Sequence, residues 1–365
     1  MFAYLKRASE RLFDSFGSDT SVPVFDGALK PNNLLDVAPV LFEHPELTDM
    51  VLDSHGHLMV ACGKEILKVE LGPEHLTRQQ MIELPKPIRA LCKLGDGLVA
   101  ATDDGLLFVN GKYDGRKVSI LDSQPIQCVT ALCEGPDGIL LITNGSLQTA
   151  CDDWAKDLLD GGKTGQLLAY DPASGKTHVY AKKLAYAYGV CSDGARTLVS
   201  ESWAHRVLVW RNGTMESGLN ELPGYPSRIS KASDGGFWLT LFAPRSQLLE
   251  FVLSENEFRT EMMQTVDPTY WIAPALSSGK DFLEPLQQGG VRQMGVLKPW
   301  APARSYGLVV KLSSDLVPLY SLHSRVGGAN HGIVAALEFD GSLLALSKGA
   351  GRILGMPLVN QQSQD

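Results

Sequence analysis

The sequence has no uninterrupted apolar run approaching the 18 residues that a membrane-spanning helix needs, so nothing in it reads as a transmembrane segment. It also lacks a basic run long enough to track a phosphate backbone. Its 33 Lys and Arg against 41 Asp and Glu give a formal charge of -8, which argues against nucleic acid as a partner. The six cysteines (Cys62, Cys92, Cys128, Cys133, Cys151, Cys191) form no CxxC pair. Several lie inside apolar runs, which reads as reduced core thiols and not as a metal or disulfide framework. Charged residues are sparse at 20% while hydrophobic residues reach 44%, so disorder is excluded and a sizeable core is available.

The opening stretch MFAYLKRASERLFDSFGSD places Phe2, Leu5, Leu12, Phe13 and Phe16 on one helical face. Lys6, Arg7, Glu10 and Arg11 interrupt what would otherwise be the apolar region of a secretion signal. The expectation is an amphipathic segment over 1–25 that packs on its own body, on a second copy to give a homo-oligomer, or on a membrane surface. Reduced thiols without a secretion signal point to the cytoplasm.

What the chain does contain is a repeat: an apolar run, a turn ending in Gly, then a second apolar run. It recurs as MVLDSHGHLMVA, ALCKLGDGLVAA, ALCEGPDGILLIT, GVCSDGARTLVS, RISKASDGGFWLTL and VAALEFDGSLLALS. The turn glycines Gly56, Gly97, Gly138, Gly194, Gly235 and Gly341 stand 41, 41, 56, 41 and 106 residues apart. A period near 40 made of hairpins is the signature of propeller blades. The fold class is therefore all-β: a six-bladed β-propeller over 26–358, with 359–365 as a flexible tail. A segment near Val37 to Phe42 should complete the last blade, because pairing the chain ends removes exposed sheet edges.

The two long intervals locate insertions at about 146–163 and 250–305. Both follow the second strand of a blade, so both should cover the face where the inner strands begin. Residues eight positions before each turn glycine should ring the channel there: Thr48, Arg89, Thr130, Tyr186, Ser227 and Ile333, with Tyr188 replacing Tyr186 if the fourth turn is short. Trp154, Trp271 and Trp300 should report on one covered cavity, while His55 and His57 should lie exposed on the opposite face.

Three segments resemble the strictosidine-synthase-like proteins: LPGYPSRISKASDGGFWLTLFAPR (Leu222 to Arg245), GQLLAYDPASGKTHVYAKKLAYAYGV (Gly165 to Val190) and VSESWAHRVLVW (Val199 to Trp210). PVFDGALKPNNLLDVAPV and DDWAKDLLDGGKTG resemble that family's N-terminal approach to the ring and its blade-three cover. The resemblance implies six blades and relatives among gluconolactonases and paraoxonases. In metal-dependent members, Glu, Asn, Asn and Asp at the inner-strand starts hold a catalytic calcium. Here those places carry Thr48, Thr130, Tyr188 and Ser227, so no metal site and no cofactor is expected. Where the Pictet-Spengler enzyme of the family has a channel Glu, this chain has Val334, which cannot exchange a proton.

The candidate catalytic residues are His331, Tyr188 and Glu201, a set able to run acid–base chemistry near neutral pH. The candidate substrate-binding residues are Thr48, Arg89, Thr130 and Ser227, joined by Arg228, Trp203 and Trp271. Glu201 has a bland alternative as the structural partner of Arg206. Two arginines facing one channel point to an anionic small-molecule ligand. Three functions stand open: a hydrolase of lactone or ester type without calcium, a non-catalytic binding or sensory propeller, and a carbon–carbon bond-forming lyase-type enzyme.

Overall fold

The computed structural model describes residues 22–71, 76–279, 281, 283–285, 292–293, 296–297 and 303–358. The amphipathic stretch up to residue 21, Trp300 and the tail 359–365 lie outside the described residues. Among the described residues no helix is long and apolar enough to cross a membrane.

Six four-stranded antiparallel sheets follow one another around a ring. Their inner strands are Leu47–Leu52, Ile88–Leu94, Val129–Glu134, Ala187–Ser192, Gly224–Lys231 and Ile333–Phe339. Each is followed by a second strand, and several second strands, such as Leu58–Cys62, Gly97–Thr102 and Phe237–Pro244, are buried along their whole length. Such strands carry continuous apolar runs because a neighbouring blade covers each face. Outer strands such as Thr214–Leu219 alternate or stay polar, since they meet solvent. The last blade takes its fourth strand from the N-terminal side: Val40–Glu43 pairs antiparallel with Arg352–Pro357. Phe42 anchors that closure and is 1% exposed.

The core is divided into wedges, one between each pair of adjacent blades. Met59, Ile66, Ile88 and Leu98 fill the first, and Leu35, Trp238, Val309 and Leu354 fill the one between the fifth and sixth blades. Five turn glycines (Gly56, Gly138, Gly194, Gly235, Gly341) have φ between 70° and 95°, the region a tight hairpin needs and a side chain resists. The second blade differs from the expectation. Its positive φ falls at Gly95, whereas Gly97 opens the next strand, where a Cβ would meet the Asn110 carbonyl at 2.5 Å.

Both insertions are ordered where described. The first forms a short helix, Trp154–Leu159, and the second forms two, Gln247–Ser254 and Asn256–Thr265. Leu159 from the first packs with Val252, Met262 and Trp271 from the second, so the two covers share an apolar core of their own.

Candidate functional site

Every inner strand slips register near its start, between Leu47 and Asp49, Ile88 and Ala90, Val129 and Ala131, Ala187 and Val190, Pro226 and Ile229, and Ile333 and Ala335, the fifth also between Tyr225 and Pro226. A bulge leaves a residue outside the ladder and re-aims its side chain. The residues freed in this way are Thr48, Arg89, Thr130, Tyr188, Arg228 and Val334, which places the ring of channel positions. Two sequence expectations shift by one residue. Ser227 is fully buried, its hydroxyl bonded to the Ile333 and Thr240 carbonyls between blades, and Arg228 takes the channel position instead. In the sixth blade Val334 replaces Ile333. A one-residue slip turns a strand side chain to the other face, and the bulges decide that slip.

Arg228 lies across the channel. Its guanidinium donates to the carbonyls of Thr48 at 3.2 Å, Arg89 at 2.9 Å and Thr130 at 2.9 Å, and pairs with Asp49 at 3.2 Å. Asp49 also accepts from the Leu91 and Met50 amides, yet burial raises its pKa against the pull of Arg228. Arg228 borders two spaces. Toward the turn face is an open funnel of about 490 Å³, walled by the middles of the inner strands. Toward the covers is a smaller, partly enclosed chamber of about 40 Å³.

The chamber is where the covers and the inner-strand starts meet. Trp154 and Cys151 come from the first insertion and Leu276 from the second. Blade side chains supply an aromatic wall: Tyr186, Tyr188, Trp203 and Phe242. Trp203 lies 4.5 Å from Tyr186 between ring centroids, and Trp154 meets Phe242 edge-on at 5.4 Å. Trp203 Nε1 donates to Asp157 at 2.8 Å, which ties the first cover helix to the fourth blade. Leu276 rests on a pair of glycines, since a Cβ at Gly349 would lie 1.9 Å from its carbonyl oxygen and one at Gly332 2.6 Å away.

Polar groups around the chamber are mostly spoken for. Arg89 grips Asp103 at 2.8 Å and Asp152 at 2.6 Å, and these bonds hold its pKa above the usual arginine value. The Thr48 and Thr130 hydroxyls donate to the Ala61 and Ala187 carbonyls. Cys128 lies beneath the wall with its sulfur 3.4 Å from that of Cys151. Other groups remain open. Among the described residues neither the Lys348 amine nor the Tyr188 hydroxyl has a hydrogen-bond partner, and Arg228 Nε is buried without one. Burial lowers the Lys348 pKa, and burial pushes the Tyr188 phenol up to about 12.

Several sequence candidates are not brought together here. His331 is buried away from the chamber, with Nε2 donating to the Arg325 carbonyl at 2.9 Å and Nδ1 accepting from Ser305 at 2.7 Å. Glu201 accepts from the Ala185 amide at 2.6 Å and from Arg206 at 2.5 Å, so it serves the fourth blade. Trp271 packs inside the cover core and donates to the Val266 carbonyl. Thr48, Arg89, Thr130, Tyr188, Trp203 and Arg228 do line the chamber. Phe242 and Leu276 went unread, because their sequence neighbourhoods look like ordinary strand and loop.

The oxygen set does not suit calcium. Of the four positions that would replace the metal ligands, none carries a carboxylate; three hydroxyls point at backbone carbonyls, and a guanidinium already occupies the carbonyls facing the channel. Among the described residues, the group that could hold a metal is Asp53, His55 and His57 at an exposed turn on the opposite face.

No known protein-family signature matches the chain. Strictosidine synthase-like 6 of Arabidopsis thaliana is 29% identical over 155 residues, 40% of this chain and 41% of that protein. Strictosidine synthase-like 13 of Arabidopsis thaliana is 31% identical over 184 residues, 46% of this chain and 45% of that protein. The chain thus spans less than half the length of these plant relatives. The adipocyte plasma membrane-associated protein of Bos taurus is 25% identical over 318 residues, 72% of this chain and 73% of that protein. Among solved structures, a gluconolactonase from Xanthomonas campestris superimposes with a TM-score of 0.55 at 12% identity, covering 93% of this chain and 96% of that one. The calcium-binding protein regucalcin from Agrobacterium tumefaciens gives 0.52 at 13% identity, covering 88% and 93%. At such identity the likeness concerns the fold alone. Sequence and fold together make this chain a six-bladed β-propeller similar to the strictosidine synthase-like proteins.

Proposed function

We propose that the covered chamber is the working site of the chain, binding a small organic molecule without calcium. The observation that carries this reading is the contrast between satisfied and open groups. Arg89 and Arg228 have their own acidic and carbonyl partners, whereas Lys348 and Tyr188 face an aromatic enclosure with none. Small-molecule sites combine apolar walls with a few convergent polar groups. An anion would have to displace Asp103, Asp152 or Asp49 to reach either guanidinium, so the two arginines do not by themselves favour an anionic ligand over a neutral one.

Hydrolysis of a lactone or ester is the second reading, and the Lys348 amine favours it. Burial lowers its pKa and so favours the proton-free form that a general base needs, in a site where His331 and Glu201 are engaged elsewhere. The bond-forming lyase reading gains nothing from Val334, which is fully buried and apolar.

The test is tryptophan fluorescence of the full chain titrated with small lactones, esters, aldehydes and ketones, once with EDTA and once with calcium. Binding should quench Trp154 and Trp203, should weaken on Trp203→Phe and Tyr188→Phe, and should be the same in both buffers. Binding that ignores both substitutions, or that needs calcium, overturns the proposal.

A further inference from the structure

We infer that Lys348 is a nucleophilic amine that captures a small aldehyde or ketone in the covered chamber as an imine. The inference rests on the chamber being the ligand site and goes beyond it by assigning a covalent step. Lys348 directly follows the second strand of the sixth blade, Ser342–Ser347, and its backbone amide is held by the Gly332 carbonyl at 2.9 Å. That bond fixes the base of the side chain while the amine borders the chamber.

An ammonium in this position would have to leave water without a hydrogen-bond partner, which is costly. The charged groups that face it come from three other blades and the first cover. Arg228 and Arg89 oppose its protonation, and Asp152, Asp49 and the Cys151 thiol favour it. The two arginines are themselves paired with Asp49, Asp103 and Asp152, so most of the acidic charge is already taken, and burial is the largest cause lowering the Lys348 pKa. A desolvated lysine beside other cations is the arrangement that makes an amine nucleophilic at neutral pH.

The chemistry balances within the chamber. The amine lone pair attacks the carbonyl carbon, and the carbonyl oxygen gains a proton, with the Tyr188 hydroxyl as donor. The nitrogen gives up a proton in return, leaving a neutral carbinolamine. Loss of its hydroxyl as water and of the second N–H proton leaves the carbon–nitrogen double bond. No oxidant, reductant or metal is needed. A chamber of about 40 Å³ holds only a few water-sized volumes, so a carbonyl compound of three or four heavy atoms fits without moving the covers.

The experiment uses the full chain with propanal or acetone at pH 6.5, where exposed amines are protonated, and sodium cyanoborohydride to reduce any imine to a stable amine. Intact mass should rise by the mass of the carbonyl compound less one oxygen atom, about once per chain, and peptide mapping should place the adduct on Lys348. Lys348→Met should abolish it. Tyr188→Phe should slow it while circular dichroism stays unchanged, which keeps the test independent of any folding defect in the lysine variant. An adduct on Cys151 or spread over surface lysines overturns the inference. Reversible quenching by propanal without an adduct also overturns it, yet leaves the chamber standing as a ligand site. Absence of both quenching and adduct removes the two readings together.

Discussion

Arg228 carries the strongest residue-level consequence. Its guanidinium neutralises Asp49 and satisfies carbonyls from three different blades, so it acts as an internal cross-tie. Removing one partner of a buried pair leaves an uncompensated charge, which typically costs about 3–5 kcal/mol. Arg228→Met should therefore lower stability by about that much in urea unfolding, and adding Asp49→Asn should recover part of the loss, because the orphaned charge is then gone. Were Arg228 a free anion receptor instead, the single variant would leave stability unchanged. At this scale the sequence was partly legible. Thr48, Arg89, Thr130 and Tyr188 follow from counting back from a turn glycine. Ser227 and Ile333 do not, because a bulge one residue later hands the channel to Arg228 and Val334.

Among the elements, the covers depend on close packing that only glycine permits. The Leu276 loop lies so near Gly349 that a Cβ there would sit 1.9 Å from its carbonyl oxygen. Gly349→Ala should push that loop away and open the chamber. Fluorescence quenching by acrylamide should then rise at Trp154, read in a variant carrying Phe at the other tryptophans, while far-ultraviolet circular dichroism stays unchanged. Equal quenching in both backgrounds would show that the loop does not seal the chamber. The insertions themselves are visible in the sequence as breaks in a 41-residue period, and their shared face follows from strand direction. Their contact through Leu159, Val252, Met262 and Trp271 is not visible, because it joins segments about a hundred residues apart with no common pattern. Trp271 thus reads as a ligand platform in sequence and packs as core in space.

Across the whole molecule, the ring stores a pH dependence in its buried histidines. Burial and the Arg245 charge lower the pKa of His205 from 6.5 to about 3. The nearby Glu250 does not hold it charged, since that carboxylate pairs with Arg245 at 2.8 Å while His205 lies 3.8 Å away. Between those two values the unfolded chain binds a proton that the folded chain refuses. Stability should thus be complete above pH 6.5 and fall as pH drops toward 3, by about 1.4 kcal/mol per unit from this histidine. His323, lowered to about 4 by burial, acts in the same direction. Melting temperature measured from pH 7 to pH 5 should fall, and His205→Asn should flatten the slope. Parallel slopes in the two proteins would assign the acid sensitivity elsewhere.

The sequence by itself determined the number of blades, the hairpin turns, the closing strand and the positions of the covers. Those properties are periodic and local: a turn glycine and flanking apolar runs specify a hairpin wherever they recur. Only the tertiary structure decided which polar groups stay open. Arg89 meets Asp152, His331 meets Ser305, and Lys348 is left facing aromatic rings. Whether a polar side chain is satisfied depends on partners from other blades and covers, and their approach is set by bulges and packing that leave no mark on the repeat.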